Sequence, residues 1–150
     1  MARFGVKLPR TASTTIDVGS VITGTAATAR RFQIYDFVIG SDASPADNAF
    51  LWEVAKRTSA ATSGSTPTAT ALDTSDTVAA TFTPNNNPTT SGTGSGTVLG
   101  IPLNQRATFR WVAAPGSEIV SPSTSCAGWG FATPTASAVT VEAYVLINEL

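Results

Sequence analysis

Residues 103–120 read LNQRATFRWVAAPGSEIV, and this stretch predicts the fold class most directly. From residue 107 to 113 the side chains alternate in direction, with Phe109 and Trp111 on the same side. A period of two is typical of a strand that turns one face toward a core. The run ends at Pro115-Gly116, a dipeptide that favours a sharp turn, and a short apolar segment follows it. We therefore predict a β-hairpin whose core face carries both aromatic side chains.

Other segments repeat the strand pattern. Residues 30–39 (RRFQIYDFVI) place apolar groups on both sides of an extended chain, which indicates a strand covered on both faces by a second layer or by another subunit. Residues 50–57 (FLWEVAKR) alternate, and we predict a strand there although Ser44-Pro45 resembles a helix start. Residues 14–23 predict a first strand. Residues 139–148 (VTVEAYVLIN) alternate most cleanly, and we expect them to be locked into a sheet.

Residues 58–97 are dominated by small, polar and turn-forming residues. Within them, residues 84–97 (PNNNPTTSGTGSGT) have no hydrophobic periodicity and predict a long exposed Thr/Gly-rich loop. Residues 66–72 and 78–83 could each form a short strand. The whole pattern, short strands separated by turn signals and no long helix, predicts an all-β fold. We expect an antiparallel β-sandwich of jelly-roll or related Greek-key type.

The first twelve residues predict an extended N-terminal arm, followed by a single β-sandwich domain at 13–150. They hold three of the nine basic residues and no acid. Basic and apolar side chains alternate there, namely Arg3, Phe4, Val6, Lys7, Leu8 and Arg10. An extended segment with this pattern has one apolar side. A frayed terminus is the alternative.

Composition narrows the possible functions. A chain of 150 residues fits one domain, and its formal net charge of -1 predicts no general attraction to nucleic acid or anionic membranes. There is no histidine, so the usual catalytic triads and most transition-metal sites are excluded. The single cysteine, Cys126, cannot form an intrachain disulfide, and we expect it to be buried as a small apolar residue. We also expect no export by a recognisable signal and no membrane span.

Few residues suggest chemistry. The ten acids are dispersed, so the pair of carboxylates that a glycosidase requires cannot be chosen from spacing. Asp42 and Asp47 could ligate calcium, but turn capping explains them without a metal. Trp52 and Trp111 fit a core, whereas Trp129 lies between glycines and is the best candidate for an exposed aromatic that contacts a glycan. We expect no cofactor and no catalytic residues.

Two segments, RRFQIYDFVIGSDASPADNAFLWEVAKRT at 30–58 and NQRATFRWVAAPGSEIVSP at 104–122, carry a family resemblance, and the terminal VEAYVLINEL fits it as well. The chain resembles small virion proteins of tailed bacteriophages, especially head decoration or cement proteins with a β-sandwich fold. The resemblance implies a homotrimer on the capsid surface of the virion, made in the host cytoplasm. It also implies binding to the major capsid protein.

The sequence thus favours a structural protein over an enzyme, one that binds major capsid subunits and its own copies. We expect the capsid contacts in the arm, at Arg3, Phe4, Val6, Lys7, Leu8 and Arg10. Candidates for the subunit interface are Tyr35, Phe37, Arg106 and Arg110. The alternative is a carbohydrate- or receptor-binding domain of a phage tail or fibre that uses Trp129.

Overall fold

The computed structural model describes residues 2–25, 27, 29–135 and 139–150, and strands dominate this part of the chain. No helix occurs among these residues. The strands are β1 (Arg3–Thr11), β2 (Gly19–Ile22), β3 (Phe32–Ala43), β4 (Ala49–Arg57), β5 (Thr70–Ala71), β6 (Thr83–Asn86), β7 (Gly94–Asn104), β8 (Phe109–Val112), β9 (Ile119–Val120), β10 (Gly128–Ala132) and β11 (Thr140–Glu149).

The strands form two antiparallel sheets packed face to face. Sheet I has the order β5-β1-β11-β3-β8, with β9 also paired to β3, and sheet II has the order β6-β2-β10-β4-β7. The main pairs are nested in the sequence: β1 with β11, β2 with β10, β3 with β8 and β4 with β7. Successive pairs alternate between the two sheets, as they do when one long antiparallel ribbon is rolled into a jelly roll. The predicted β-sandwich is confirmed.

The core lies between the sheets and is built from alternate residues of each strand. In β11, Val141, Ala143, Val145 and Ile147 are fully buried, as the clean alternation of that segment predicted. β4 contributes Phe50, Trp52 and Val54. Phe37 meets Phe131 of sheet II edge-on across the core, with ring centroids 5.5 Å apart, and it stacks on its neighbour Trp111 within sheet I at 5.1 Å. Each fully buried large side chain contributes about 1.5–3 kcal/mol through the apolar surface that it removes from water.

The N-terminal segment is a core strand and not an arm. β1 lies between β5 and β11 and pairs with β11 over its whole length, from Arg3 opposite Asn148 to Thr11 opposite Thr140. Phe4, Val6 and Leu8 are all buried in the core. The alternation that predicted an arm with one apolar side is the pattern of a strand half-buried in a sheet. The prediction of an N-terminal arm is therefore wrong for residues 2–12. Met1 lies outside the described residues.

The quoted central stretch does not form a hairpin. β8 and β9 both pair with the same edge of β3, Phe109 opposite Ile39 and Ile119 opposite Ile34, so they run in the same direction. Residues 113–118 loop out between them. The expected turn does form, since the Ser117 amide donates to the Ala114 carbonyl and Gly116 takes a φ of +85°. This turn lies in the loop between β8 and β9, which follow the same edge of β3 in the same direction. It therefore does not join two antiparallel strands.

A β-bulge explains why β3 carries apolar residues at both parities. Opposite β11 the register passes from Ile34–Ile147 to Asp36–Leu146, so Tyr35 is the extra residue. A bulge shifts the alternation by one position. Phe32 and Ile34 before it, and Phe37 and Ile39 after it, are consequently all buried in the same core. The prediction of a strand covered on both faces is corrected.

The Thr- and Gly-rich region is more ordered than predicted. Residues 84–86 belong to β6, which pairs with β2, and residues 94–97 begin β7, which pairs with β4. Phe82, just before β6, is buried against Phe4 and Phe32. The exposed loop thus shrinks to residues 87–93. The strand predicted at 14–23 is reduced to β2, and a loop replaces its first half.

Candidate interaction surface

The outer face of sheet I is a broad surface on which side chains form rows across four strands. One row contains Lys7, Tyr144, Val38 and Arg110, which are successive register partners; the next contains Gly5, Leu146, Asp36 and Val112. Because neighbouring strands lie about 4.8 Å apart, each row spans about 14 Å. We call this surface, with Arg3, Tyr35, Gly40 and Glu142 at its margins, the sheet I face.

The centre of the sheet I face is apolar. Tyr144 is exposed there, and Val38 and Leu146 are half-buried beside it. Val112 is exposed too, but it lies at the edge of the face on β8, beyond Asp36. A Cβ atom on Gly5 would lie 2.2 Å from the Tyr144 hydroxyl oxygen, so the Tyr144 ring lies across this glycine. Since glycine alone leaves room there, the ring is held flat against the sheet.

Two ion pairs flank the apolar centre. The Lys7 Nζ lies 2.9 Å from Glu142 Oε2 on one side. On the other side Arg110 Nε donates to both carboxylate oxygens of Asp36 at 3.1 Å, and Arg110 Nη2 also pairs with Asp36. Hydrogen bonding to the carboxylate and its charge raise the pKa of Lys7, and the contact with Asp36 raises the pKa of Arg110 in the same way. Both cations therefore stay charged at neutral pH.

Four residues singled out from the sequence meet on this face: Arg3, Lys7, Tyr35 and Arg110. Tyr35 is half-buried at the bulge, and its pKa is raised by desolvation, although the nearby Arg3 charge opposes the shift. The sequence singled out Tyr35 because it belongs to the second set of apolar positions in β3, on the opposite side of an extended chain from Phe32 and Ile34.

The other predicted contact residues lie elsewhere. Four of them are buried in the core, namely Phe4, Val6, Leu8 and Phe37. The prediction that they contact a capsid or a second subunit is therefore wrong. Their burial against the opposite sheet removes them from any external partner.

Two of the predicted basic contacts serve the chain itself or stand apart from the face. Arg10 donates through Nη1 to the carbonyls of Asp17 (2.9 Å) and Pro88 (2.6 Å), and so ties two loops to β1. Burial lowers its pKa. Arg106 is exposed in the turn before β8 and does not share a strand with Arg110.

Trp129 is buried, at 7% exposure, and does not offer an aromatic to a glycan. It points into the core from β10, together with Phe131, because residues two apart in a strand share a face. Its neighbours Gly128 and Gly130 face outward instead. A Cβ on Gly130 would lie 2.4 Å from Asp17 Oδ2 and 2.7 Å from Arg57 Nε. Gly130 thus leaves room for polar side chains on sheet II, whereas Gly128 lies against the backbone of Val21 and Ile22.

Those polar side chains form a buried ion pair that the sequence analysis missed. Arg57 donates through Nε to Asp17 Oδ2 at 2.7 Å and through Nη2 to Asp17 Oδ1 at 2.5 Å. The Asp17 amide donates to Ser91 Oγ at 2.7 Å. The pair joins the loop before β2 to β4. Forty residues separate the two partners, so no local spacing could have revealed them.

The remaining candidates do not form a site. Cys126 is half-buried at a turn with φ of +54°, which corrects the prediction of a buried thiol. Asp47 Oδ1 accepts a hydrogen bond from Asn104 Nδ2 at 2.7 Å, and Asp42 is exposed at the end of β3. Across residues 2–25, 27, 29–135 and 139–150, no three acidic or cysteine side chains cluster closely enough to hold a metal ion.

A shallow groove crosses one side of the sheet I face. Its volume is about 200 Å³, and its lining includes Val38, Gly40, Asp42, Glu142 and Tyr144. Gly40 forms the floor, since a Cβ there would lie 3.2 Å from Thr108 Oγ1. The groove thus combines an aromatic wall with two carboxylates.

Among the described residues there is no helix with the length and apolar character needed to cross a membrane. Comparisons with protein-family models, with curated proteins and with solved structures find no match for this chain.

Proposed function

We propose that the chain is a structural virion protein of a tailed bacteriophage, and that it decorates and stabilises the capsid by binding major capsid subunits as an oligomer. The observation that carries the proposal is the sheet I face, whose apolar centre is flanked by ion pairs. Buried centres with polar rims are typical of protein–protein interfaces. The jelly-roll strand order supports it too, because viral capsid domains use that architecture. A trimer is the oligomer that the sequence resemblance favours.

In this proposal the sheet I face packs on the capsid lattice. Val112, Tyr144, Val38 and Leu146 lose their remaining contact with water, and Arg3 and Lys7 meet acidic groups beside them. The face belongs to a sheet fixed by long backbone ladders, so little conformational entropy is lost on docking. A single face of this width binds weakly, but an oligomer presents several copies at once. Linked contacts of this kind raise the overall affinity by two to four orders of magnitude, roughly.

Co-sedimentation with undecorated heads of the encoding phage tests the proposal. Val112→Asp places a charge on the most exposed apolar side chain of the sheet I face, on β8, and we expect it to abolish sedimentation with the heads. Val98→Asp is the matched control, because Val98 is similarly exposed but lies on β7 of the other sheet. The control should bind as the unchanged chain does. Equal binding of both variants, or no binding of the unchanged chain, would reject the proposal.

Glycan binding is a second candidate, which the groove beside Tyr144 favours. Aromatic rings stack on sugars, carboxylates accept hydrogen bonds from hydroxyl groups, and lectins also use jelly rolls. Tyr144→Ala should then abolish binding on a glycan array, whereas Val112→Asp, outside the groove lining, should retain it. Head binding without any array signal would exclude this candidate.

A further inference from the structure

The described residues carry a second exposed apolar surface, at the end of the sandwich where β1 begins and β11 ends. Leu72, Val78 and Leu150 are 46%, 59% and 49% exposed. They line two shallow cavities, of about 250 and 440 Å³, which share Asp76 in their lining. We call this surface, with the charged side chains Arg3, Arg30, Asp73 and Asp76 that line the same cavities, the end patch.

The four charged side chains that define the end patch are two cations, Arg3 and Arg30, and two anions, Asp73 and Asp76. No ion pair among the described residues joins Arg3 or Arg30 to Asp73 or Asp76. Asp73 and Asp76 each accept a backbone hydrogen bond from the residue two positions later, at 2.9 and 3.0 Å, which fixes their direction. A fifth charged residue in the lining, Glu149, is buried and accepts from the Thr81 amide and hydroxyl.

The end patch is also held rigidly. The Leu72 amide donates to the Arg3 carbonyl at 2.9 Å, and the Leu150 amide donates to the Arg31 carbonyl at 2.9 Å. The Glu149 amide donates to the Ala2 carbonyl at 3.0 Å. These bonds fix the backbone that carries Leu72 and Leu150 before any partner arrives. A surface that is already ordered loses little entropy when it binds.

We propose that the end patch packs against the same patch of a second copy of this chain in a two-fold contact, which by itself makes a dimer. Charge complementarity argues for this partner. A strongly acidic or basic partner would leave either the aspartates or the arginines facing like charge, which is costly at an interface. A second copy brings two cations and two anions of its own, so Arg30 of one copy can face Asp73 and Asp76 of the other.

This inference rests on the proposed function, which requires an oligomer, and it gives that oligomer a two-fold contact where the sequence resemblance favours a trimer. Apart from Arg3, which borders both surfaces, the end patch lies outside the sheet I face that meets the capsid. Mass measured by light scattering over a range of concentrations tests it. The unchanged chain should associate, and Val78→Asp should weaken the association constant at least about tenfold. Val98→Asp again serves as the control and should associate normally.

Charge exchange identifies the partner. Arg30→Glu alone and Asp73→Lys/Asp76→Lys alone should each be monomeric, because like charges then face one another across the contact. An equimolar mixture of the two variants should associate again. Circular dichroism confirms that each variant is folded.

If Val78→Asp associates as strongly as the unchanged chain, the end patch is not the contact between copies, although the chain still forms an oligomer. A monomeric unchanged chain, or a mixture that stays monomeric, would also overturn it. Head binding is measured separately, and Val78→Asp should still bind through the sheet I face, more weakly because it presents single copies. Failure of the end patch is therefore distinguishable from failure of the proposed function.

Discussion

Asp17→Asn should lower the unfolding free energy of the domain by about 3–5 kcal/mol, because it leaves the Arg57 guanidinium buried without its counter-charge. Asp17 is 1% exposed, and the Arg57 side chain is 12% exposed. The amide has nearly the same shape as the carboxylate, so the contacts of the Asp17 backbone with Ser91 and Arg10 can remain. The change therefore reports on the lost charge.

The magnitude follows from how closely the pair is held. Two hydrogen bonds join Arg57 to Asp17, at 2.7 and 2.5 Å, and the backbone of Gly130 lies directly beneath them. Arg57 also packs over Gly94, where a Cβ would lie 2.6 Å from its Nη1. In this position the guanidinium keeps only slight contact with water. Breaking a buried pair from one side is costly for that reason.

Urea unfolding measures the effect. With a slope of about 2 kcal/mol per molar urea, the midpoint should fall by about 1.5–2.5 M. The double variant Asp17→Asn/Arg57→Met removes the orphaned charge and should recover part of the loss. Lys7→Met is the control, because the Lys7–Glu142 pair lies on the surface, and its midpoint should not change measurably. A fall of less than about 0.5 M for Asp17→Asn would refute the reasoning.

Three further predictions address the fold. Deleting residues 2–12 should abolish the near-ultraviolet circular dichroism and the cooperative unfolding transition, because it removes β1 from between β5 and β11. A native-like spectrum would instead show that this segment is a dispensable arm. Trp129→Ala should cost about 3–5 kcal/mol in urea unfolding if the indole is core, whereas Val98→Ala should cost less than about 0.5 kcal/mol. In Tyr144→Phe, Tyr35 is the remaining tyrosine, and its absorbance should titrate above 10.0 because burial disfavours the phenolate. Since folding raises this pKa, Tyr35 ionisation should destabilise the domain as the pH rises past 10; a midpoint at or below 10 would place the ring in water.

Alternation within a segment was sufficient to find strands whose own side chains keep a period of two. β11 and the first part of β4 were predicted with their core faces, because alternate residues from Val141 to Ile147 and from Phe50 to Val54 are apolar and buried. The sandwich class followed from many short strands and turn signals. Local periodicity carries this information because the side-chain period of a strand is two.

The sequence could not reveal features that depend on pairing at long range. One bulged residue, Tyr35, shifts the alternation of β3, so that a strand with a single core face looked covered on both sides. The turn at Pro115-Gly116 was recognised, but a turn residue does not say whether the next strand reverses or continues along the same neighbour. The sequence predicts an arm in place of β1 because the strand that pairs with β1, β11, lies at the other end of the chain.

The candidate surfaces, too, were predictable only in part: single residues could be chosen from the sequence, but their arrangement depends on how the strands pair. Arg3, Lys7, Tyr35 and Arg110 were singled out individually, yet their meeting on the sheet I face depends on the order β1-β11-β3-β8. The prediction for Trp129 is wrong because its flanking glycines suggest exposure, whereas Gly130 makes room for the Asp17–Arg57 pair on the opposite side of the sheet and Gly128 lies against the backbone of β2. Leu72, Val78 and Leu150 gave no signal in sequence, since three separate segments bring them together.

Cryo-electron microscopy of undecorated heads, incubated with a saturating amount of the purified chain, tests the central proposal most directly. The account predicts added density into which copies of the sandwich fit with the outer face of sheet I against the shell and the end patches in mutual contact. Heads without added density, or bound copies whose sheet I face points to solvent, would contradict it.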